Sequence, residues 1–291
     1  AQEDEVLGIA NSLADEDVLG TFSYQWSRGG TDVSGETGLT YTLGQSDVGS
    51  TITVTISYTD GQGTEESETS AATSTVQNVN DAATVAISGT ATEDQVLTAT
   101  VTDEDGATGT ITYAWNRDGT AVSGATSSTY LLTQSDVGSA MTVSISFTDD
   151  YSNGETATSS ATSAVANVND DPTGSVTISG TPTEDEILTA ANTLADEDVL
   201  GTITYTWSNG DTGSTTTLGQ SDVGNAITVT ASYTDGQSTA ESSTSAATSA
   251  VANVDDDPTG SVTISGTATE DQVLTAANTL ADEDGLGTIS Y

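Results

Sequence analysis

Cysteine, histidine and lysine do not occur in this chain, and arginine occurs only at Arg28 and Arg117. Without cysteine there is no disulfide, no thiolate nucleophile and no zinc–thiolate site. Without histidine or lysine the common general bases and the Ser-His-Asp arrangement are excluded. No apolar run approaches the ~20 residues that a membrane-spanning helix needs, and no signal-peptide pattern opens the chain. Three Trp, two Phe and 34% hydrophobic residues among 291 leave material only for cores that are small and repeated.

What is abundant is acid. Forty-four Asp and Glu give a formal net charge of −42. Such a field repels nucleic acid and anionic membranes, so neither is an expected partner. It attracts cations, and without them self-repulsion opposes compaction. A carboxylate pair for glycoside hydrolysis is formally open, but the acid pairs recur along the whole chain. Identical active sites at every recurrence would be unusual, and the chain reads as non-enzymatic.

The acids recur because the sequence repeats about every 90 residues, which fixes an architecture of stacked units. Gln-Ser-Asp-Val-Gly begins at Gln45, Gln134 and Gln220, and single Trp residues stand at 26, 115 and 207. Gln45 to Asp60, Gln134 to Asp149 and Gln220 to Asp235 are each 15 residues. From those Asp residues to Asn78, Asn167 and Asn253 is always 18. The expected copies are 1–81, lacking its opening strand, then 82–171, 172–257 and a partial copy at 258–291. Since the chain starts and stops inside copies, it reads as a window from a longer array. Length varies elsewhere: Trp to Gln is 19 residues from Trp115 but 13 from Trp207, so the third copy has lost a small hairpin.

Within a copy the apolar period is two. Met141, Val143, Ile145 and Phe147 alternate with Thr142, Ser144, Ser146 and Thr148, the pattern of strands with one buried and one wet face. Glycine- and Asp-rich stretches separate such runs, and no window has helical periodicity. Strands are expected near 84–88, 96–102, 110–116, 140–148 and 155–168, and many short antiparallel strands per copy indicate an all-β tandem of sandwiches.

A Trp in a mid-domain strand, followed by Asp-x-Gly directly before a long alternating strand, resembles an immunoglobulin-like domain. In that layout Trp115 lies on the third strand as core filler, and Asp136-Val137-Gly138 turns into the sixth. The layout also sorts the acids between the two ends of each sandwich. Asp103-Glu104-Asp105 and Asp149-Asp150 fall at the leading end; Glu93-Asp94, Asp136 and the linker Asn167-Val168-Asn169-Asp170-Asp171 fall at the trailing end. Clusters distant in sequence therefore converge where one copy joins the next.

The first set is Glu3, Asp47, Asn78, Asn80, Asp81, Asp103, Asp105 and Asp149. The second is Glu93, Asp136, Asn167, Asn169, Asp170, Asp171, Asp196, Asp198 and Asp235. The third is Glu184, Asp222, Asn253, Asp255, Asp256, Asp257, Asp282 and Asp284. So many carboxylates cannot all stay ionised together without a cation. Six to eight hard oxygen ligands in flexible geometry suit Ca²⁺ better than Mg²⁺ or a transition metal. Two readings stand for Asp47, Asp136 and Asp222: a cation ligand, or an Asp capping its own turn. Glu93 and Asp94 are equal candidates.

Asn-Val-Asn-Asp before an extended start, with Asp-x-Asp on the next copy, resembles the calcium junctions of cadherins. Gly180-Thr181-Pro182-Thr183-Glu184-Asp185 and Ala195-Asp196-Glu197-Asp198-Val199-Leu200-Gly201-Thr202 resemble the cadherin-like or Ig-like repeats of giant secreted bacterial adhesins. The resemblance covers the whole chain. It implies calcium at linkers, rigid extension, an extracellular place on a bacterial surface, and neighbouring copies of the same chain as partners, with lateral or axial association in a filament. It departs at the first linker, which continues Ala82-Ala83 where the later ones continue Asp171-Pro172 and Asp257-Pro258. Two other readings remain: an array of ligand-binding modules for glycan, ice or a host protein, and a fibre subunit that exchanges strands.

Overall fold

Ser and Thr alternating with larger apolar residues give each long strand one inward face. Along Met141–Thr148, Met141, Val143, Ile145 and Phe147 are buried while the residues between them are partly or fully exposed. The computed structural model describes every residue from Ala1 to Tyr291. All its sheets are antiparallel, its only helices are three single-turn 3₁₀ segments, and none is long enough to cross a membrane. The chain divides into two units, Ala1–Ala166 and Asn167–Tyr291.

In the first unit, strand Ser23–Arg28 lies between Thr31–Asp32 and Ile52–Thr59, and Glu65–Thr69 closes the far edge. Opposite it, Val6–Gly8 pairs with Thr40–Thr42 alone. The pattern then recurs in fuller form. Thr112–Arg117 lies between Thr120–Ala121 and Met141–Thr148, with Gly154–Thr158 beyond, and Val96–Thr102 lies between Thr84–Ser88 and Thr129–Leu131. In the second unit, Val229–Thr234 is flanked by Thr204–Trp207 and Ala240–Thr244, and Ile187–Asn192 by Val176–Ser179 and Thr215–Thr217. The outer two-residue strand is missing there, where the sequence is six residues shorter. Val262–Ser265 and Thr275–Asn278 form a hairpin on their own.

Each Trp is a core residue, 3%, 0% and 2% exposed at positions 26, 115 and 207, and each satisfies its indole N–H on a carbonyl, Gly38, Ser127 and Gly213 respectively, at 2.9 Å. Trp26 and Trp115 also stack on Tyr41 and Tyr130, centroids 5.6 Å apart in both. Gly20, Gly109 and Gly201 recur for a steric reason: a Cβ would meet the carbonyl oxygens of Thr59, Thr148 and Thr234. The leading-end loop can therefore lie directly on the neighbouring strand.

The last strand is shorter than the sequence suggests. The expected strand at 155–168 ends at Thr158, and beyond it hydroxyls take over part of the ladder. Ser159 Oγ accepts from Val143 N and Thr162 Oγ1 from Met141 N, both at 3.0 Å. The same two contacts recur as Ser70 to Val54 and Thr73 to Ile52, and as Ser245 to Val229 and Thr248 to Ile227. Some of the Ser and Thr abundance is thus backbone satisfaction rather than wetting. Ser159→Ala is expected to cost about 1–3 kcal/mol by orphaning a buried N–H. The exposed neighbour Ser160→Ala should be near neutral, as read by urea denaturation of the cation-free protein.

Candidate metal centre

The buried acids divide by the turn that carries them. In the Glu-Asp pairs that open each copy the Asp takes a positive φ, from 60° to 66° at Asp4, Asp94, Asp185 and Asp271, a left-handed turn that Asp tolerates. Where the sandwich is complete the preceding Glu is turned inward: Glu3, Glu93 and Glu184 are each 2% exposed, while Asp4, Asp94 and Asp185 are exposed, and in the partial last copy Glu270 is exposed as well. Of Glu93 and Asp94, the Glu is the one buried. Glu93 lies beside the end of its own sandwich, its N–H donating to Ala166 O at 2.9 Å.

In the first unit, carboxylate oxygens of Glu3, Asp81 and Asp105 lie within 4.8 Å of one another. Glu3 reaches in from the turn before Val6–Gly8, Asp81 from the 78–81 linker, and Asp105 from the loop after Val96–Thr102. Asp81 N donates to Asp105 Oδ2 at 2.8 Å. Asp105 is 2% exposed, yet its other oxygen, Oδ1, is buried without a hydrogen-bond partner, as are Asn78 Oδ1, Asp103 Oδ2 and Gln45 Oε1. At an effective dielectric near 20, two like charges this close repel by about 3 kcal/mol. Burial, then Asp81, Asp105 and Asp4, push the Glu3 carboxyl above its ordinary range against a bond from Val79 N. Burial likewise raises Asp103, with Glu155, Asp105 and Asp149 adding to it. Orphaned buried oxygens among mutually repelling acids fit a hard divalent cation, held at roughly 2.3–2.6 Å by such ligands if it is Ca²⁺.

Several expected ligands do other work. Asp47 and Asp136 are corrected to structural anchors. Asp47, 1% exposed, meets Arg28 Nε at 2.6 Å, the Tyr41 hydroxyl at 2.9 Å and Gly44 N at 3.0 Å. Asp136, 0% exposed, meets Arg117 Nη2 at 2.6 Å, the Tyr130 hydroxyl and Thr133 N. Both arginines of the protein are therefore consumed where the turn-capping reading placed an Asp. Asp222 caps the same turn through Gly219 N at 3.0 Å, with Asn209 in place of the arginine at 3.3 Å. Asp149 is corrected too: Tyr151 N, Asn153 N and the Asn153 amide occupy both its oxygens. Though burial opposes it, these bonds hold Asp149 below the usual carboxylate range. Asn80 points its amide at Glu155 Oε1, 2.8 Å away.

Glu155 was not legible as a site residue. Only 6% exposed, it also accepts from Ala83 N at 3.0 Å, so it grips the linker twice. Gln45, the first residue of the recurrent Gln-Ser-Asp, was missed in the same way. Both recur at constant positions, Gln45, Gln134 and Gln220 in the motif and Glu66, Glu155 and Glu241 opposite the last apolar residue of the longest strand.

In the second unit, Asp170 N donates to Asp198 Oδ2 at 3.0 Å and Asn169 donates to Glu241 at 2.9 Å. Asn167 Oδ1 is buried without a partner, whereas Asp171 is exposed. Asp198 is fully buried, and Asp196 accepts from Asp198 N and from the Tyr233 hydroxyl. Asp235 staples its loop through Gln237 N and Thr239 N, leaving Oδ2 buried and unpartnered. A second group unites Glu184, Asp256 and Glu283 within 4.8 Å. Asp284 here accepts Asp256 N at 3.0 Å rather than joining the group. Asp282 accepts the N–H of Asp284, Asn253 turns to its own backbone, and Asp255 and Asp257 are exposed. The Gln220 side-chain amide lies against the Glu184 carboxylate, and with its nitrogen on that side it donates to both oxygens, at 2.6 and 3.0 Å.

No protein-family model matches the chain, and no curated protein matches it. Among solved structures it is similar to one described as "Ca2+-stabilized adhesin helps an Antarctic bacterium reach out and bind ice", at 17% identity and a TM-score of 0.29 over 88% of this chain and 70% of that one. It is also similar to a "tetra-tandem repeat in extending region of large adhesion protein", at 20% identity and a TM-score of 0.27 over 92% and 83%. Mouse cadherin-23 repeats EC22–24 match at 14% identity and a TM-score of 0.27 over 85% and 91%. These three neighbours are described as adhesin or cadherin structures. The all-β assignment itself rests on the strand pairing above.

Two outcomes test this electrostatic account. Arg117→Met should destabilise by about 3 kcal/mol by leaving Asp136 a buried unpaired charge. Asp136→Asn should cost less, because half-exposed Arg117 can turn to water; thermal melts of both variants decide it. The second concerns Glu3. Its folded pKa lies above the unfolded value, so ionised Glu3 opposes folding, and stability is regained as pH falls toward the ordinary carboxylate range. In EDTA at pH 7, Glu3→Gln should therefore melt higher than wild type, and the gap should close as pH falls to about 4.5.

Proposed function

We propose that the chain is a structural extender segment of an extracellular bacterial adhesin or surface filament, its copies fixed relative to one another by Ca²⁺ at the linkers. The observation that supports this most is the first site. Glu3, Asp81 and Asp105 come from a turn, a linker and a loop of consecutive copies and converge on one point, where Asp105, Asp103 and Asn78 hold buried oxygens without partners. A cation there neutralises the three acids and ties the linker to both of its neighbours in sequence. The chain's own residues do the rest: Glu155 holds Asn80 and Ala83, and the Asp105 carboxylate holds Asp81 N.

The composition supports a passive role in the same way. Histidine, lysine and cysteine are absent, and each long strand exposes Ser and Thr rather than a distinctive patch. Extracellular modules of this chemistry bind calcium at about 10⁻⁴–10⁻³ M, a range saturated outside cells and not in cytosol.

Removing calcium with EDTA is expected to lower the melting temperature and change the small-angle scattering profile, with millimolar CaCl₂ restoring both. Under calcium, Glu3→Gln and Asp105→Asn should melt below wild type. If calcium and EDTA give the same melting temperature and the same profile, the cation has no part in this protein.

A further inference from the structure

All four Asp-Glu-Asp triplets share one backbone device, the last as Asp282 accepting Asp284 N at 3.0 Å. Asp15, Asp103 and Asp196 each accept, on Oδ1, the N–H two residues on, at 2.8 Å in all three. The second oxygen differs. Asp15 Oδ2 accepts the Tyr58 hydroxyl at 2.9 Å, and Asp196 Oδ2 accepts the Tyr233 hydroxyl at 2.5 Å. Asp103 Oδ2 is buried and has no partner.

The cause is one residue. Tyr58, Phe147 and Tyr233 occupy the same register, the last apolar position of the longest strand, each opposite a Glu on the next strand: Glu66, Glu155 and Glu241. Phe147 is buried like Tyr233 but carries no hydroxyl. The copy that lacks the hydroxyl is the one whose linker is held doubly, since Glu155 binds Ala83 N, and the residue two after the linker Asp170 is Pro172, which has no N–H to give.

We propose that this Tyr/Phe position sets how many carboxylate oxygens each triplet offers to the cation. With Tyr, a phenol proton is directed at the first Asp and competes with the ion for that oxygen. With Phe147, Asp103 Oδ2 joins Glu3, Asp81 and Asp105 as a further ligand, so the site at the 78–81 linker binds Ca²⁺ more tightly than the triplets closed by tyrosine. The alternation of Tyr and Phe grades calcium affinity along the chain. This inference rests on the proposed calcium function, and its test separates the two.

The full chain is titrated with CaCl₂ by calorimetry, and with Tb³⁺ by luminescence, as wild type, Phe147→Tyr, Asp103→Asn, the double variant and Glu3→Gln. Phe147→Tyr should weaken the tightest site about tenfold, consistent with affinity following ligand charge count. Its melting temperature in EDTA should hold or rise, because a buried acceptor gains a partner. Asp103→Asn should weaken the same site, and adding it to Phe147→Tyr should have little further effect, a non-additivity that a purely structural role would not produce. Tyr233→Phe, which frees Asp196, should do the reverse and strengthen binding, and it serves should Phe147→Tyr fail to fold. Unchanged affinity in Phe147→Tyr, with Glu3→Gln weakened, overturns this inference and leaves the calcium function standing. Unchanged affinity in Glu3→Gln overturns the calcium function itself.

Discussion

The constraint on which the structure depends is the burial of carboxylates in a protein with two cationic side chains. Buried carboxylates persist only where each oxygen meets a donor or a positive charge. Arg28 and Arg117 are committed to Asp47 and Asp136, and backbone N–H groups and tyrosine hydroxyls serve many of the rest. What remains, at Glu3, Asp81 and Asp105, is a group of acids with no protein charge left to meet it. The same set holds the linker, because Asp81 is part of the linker and its N–H is bound by Asp105. Electrostatics and chain direction are thus settled at one point.

Around that point the fold is economical. The strands carry alternating small cores capped by one Trp, and serine and threonine hydroxyls replace ladder bonds where the last strand leaves the sheet. Single-residue differences then distinguish otherwise similar copies. Asn209 replaces an arginine, and the Asp it faces, Asp222, is slightly more exposed than Asp47 or Asp136. Ala83 gives Glu155 an N–H to hold. Phe147 leaves Asp103 open. None of these changes alters a strand, so the scaffold repeats while its polar ends differ.

Much of this was legible because repetition multiplies a weak signal. One Asp-Glu-Asp is an ordinary wet loop, but the same acids at fixed distances from Gln and Trp mark a place in the fold. Strands 84–88 and 96–102 were read to the residue, since period two and flanking glycines bound them clearly. Strand 155–168 was overread, because serine and threonine look alike whether they pair through backbone or through hydroxyl. Asp47 and Asp149 were misassigned for a related reason. Whether an acid faces a cation, an arginine or its own loop depends on donors that can lie far away in sequence, 19 residues for Arg28 and Asp47. Glu155 and Gln45 stayed hidden because one sits inside a strand and the other in a polar turn, where neither residue type stands out.

The sequence alone determined the all-β class, the ~90-residue period, the burial of the three Trp residues and the gathering of acids near the linkers. These follow from periodicity and from side-chain preference, which are local and repeat with the chain. Only the tertiary structure decided which oxygens are satisfied. It placed Glu3, Glu93 and Glu184 inward ahead of an Asp with positive φ, gave both arginines to structural acids, and left Asp103 and Asp105 with buried oxygens unpaired. Hydrogen-bond satisfaction is a property of where distant donors arrive in space, and spacing along a chain does not record it.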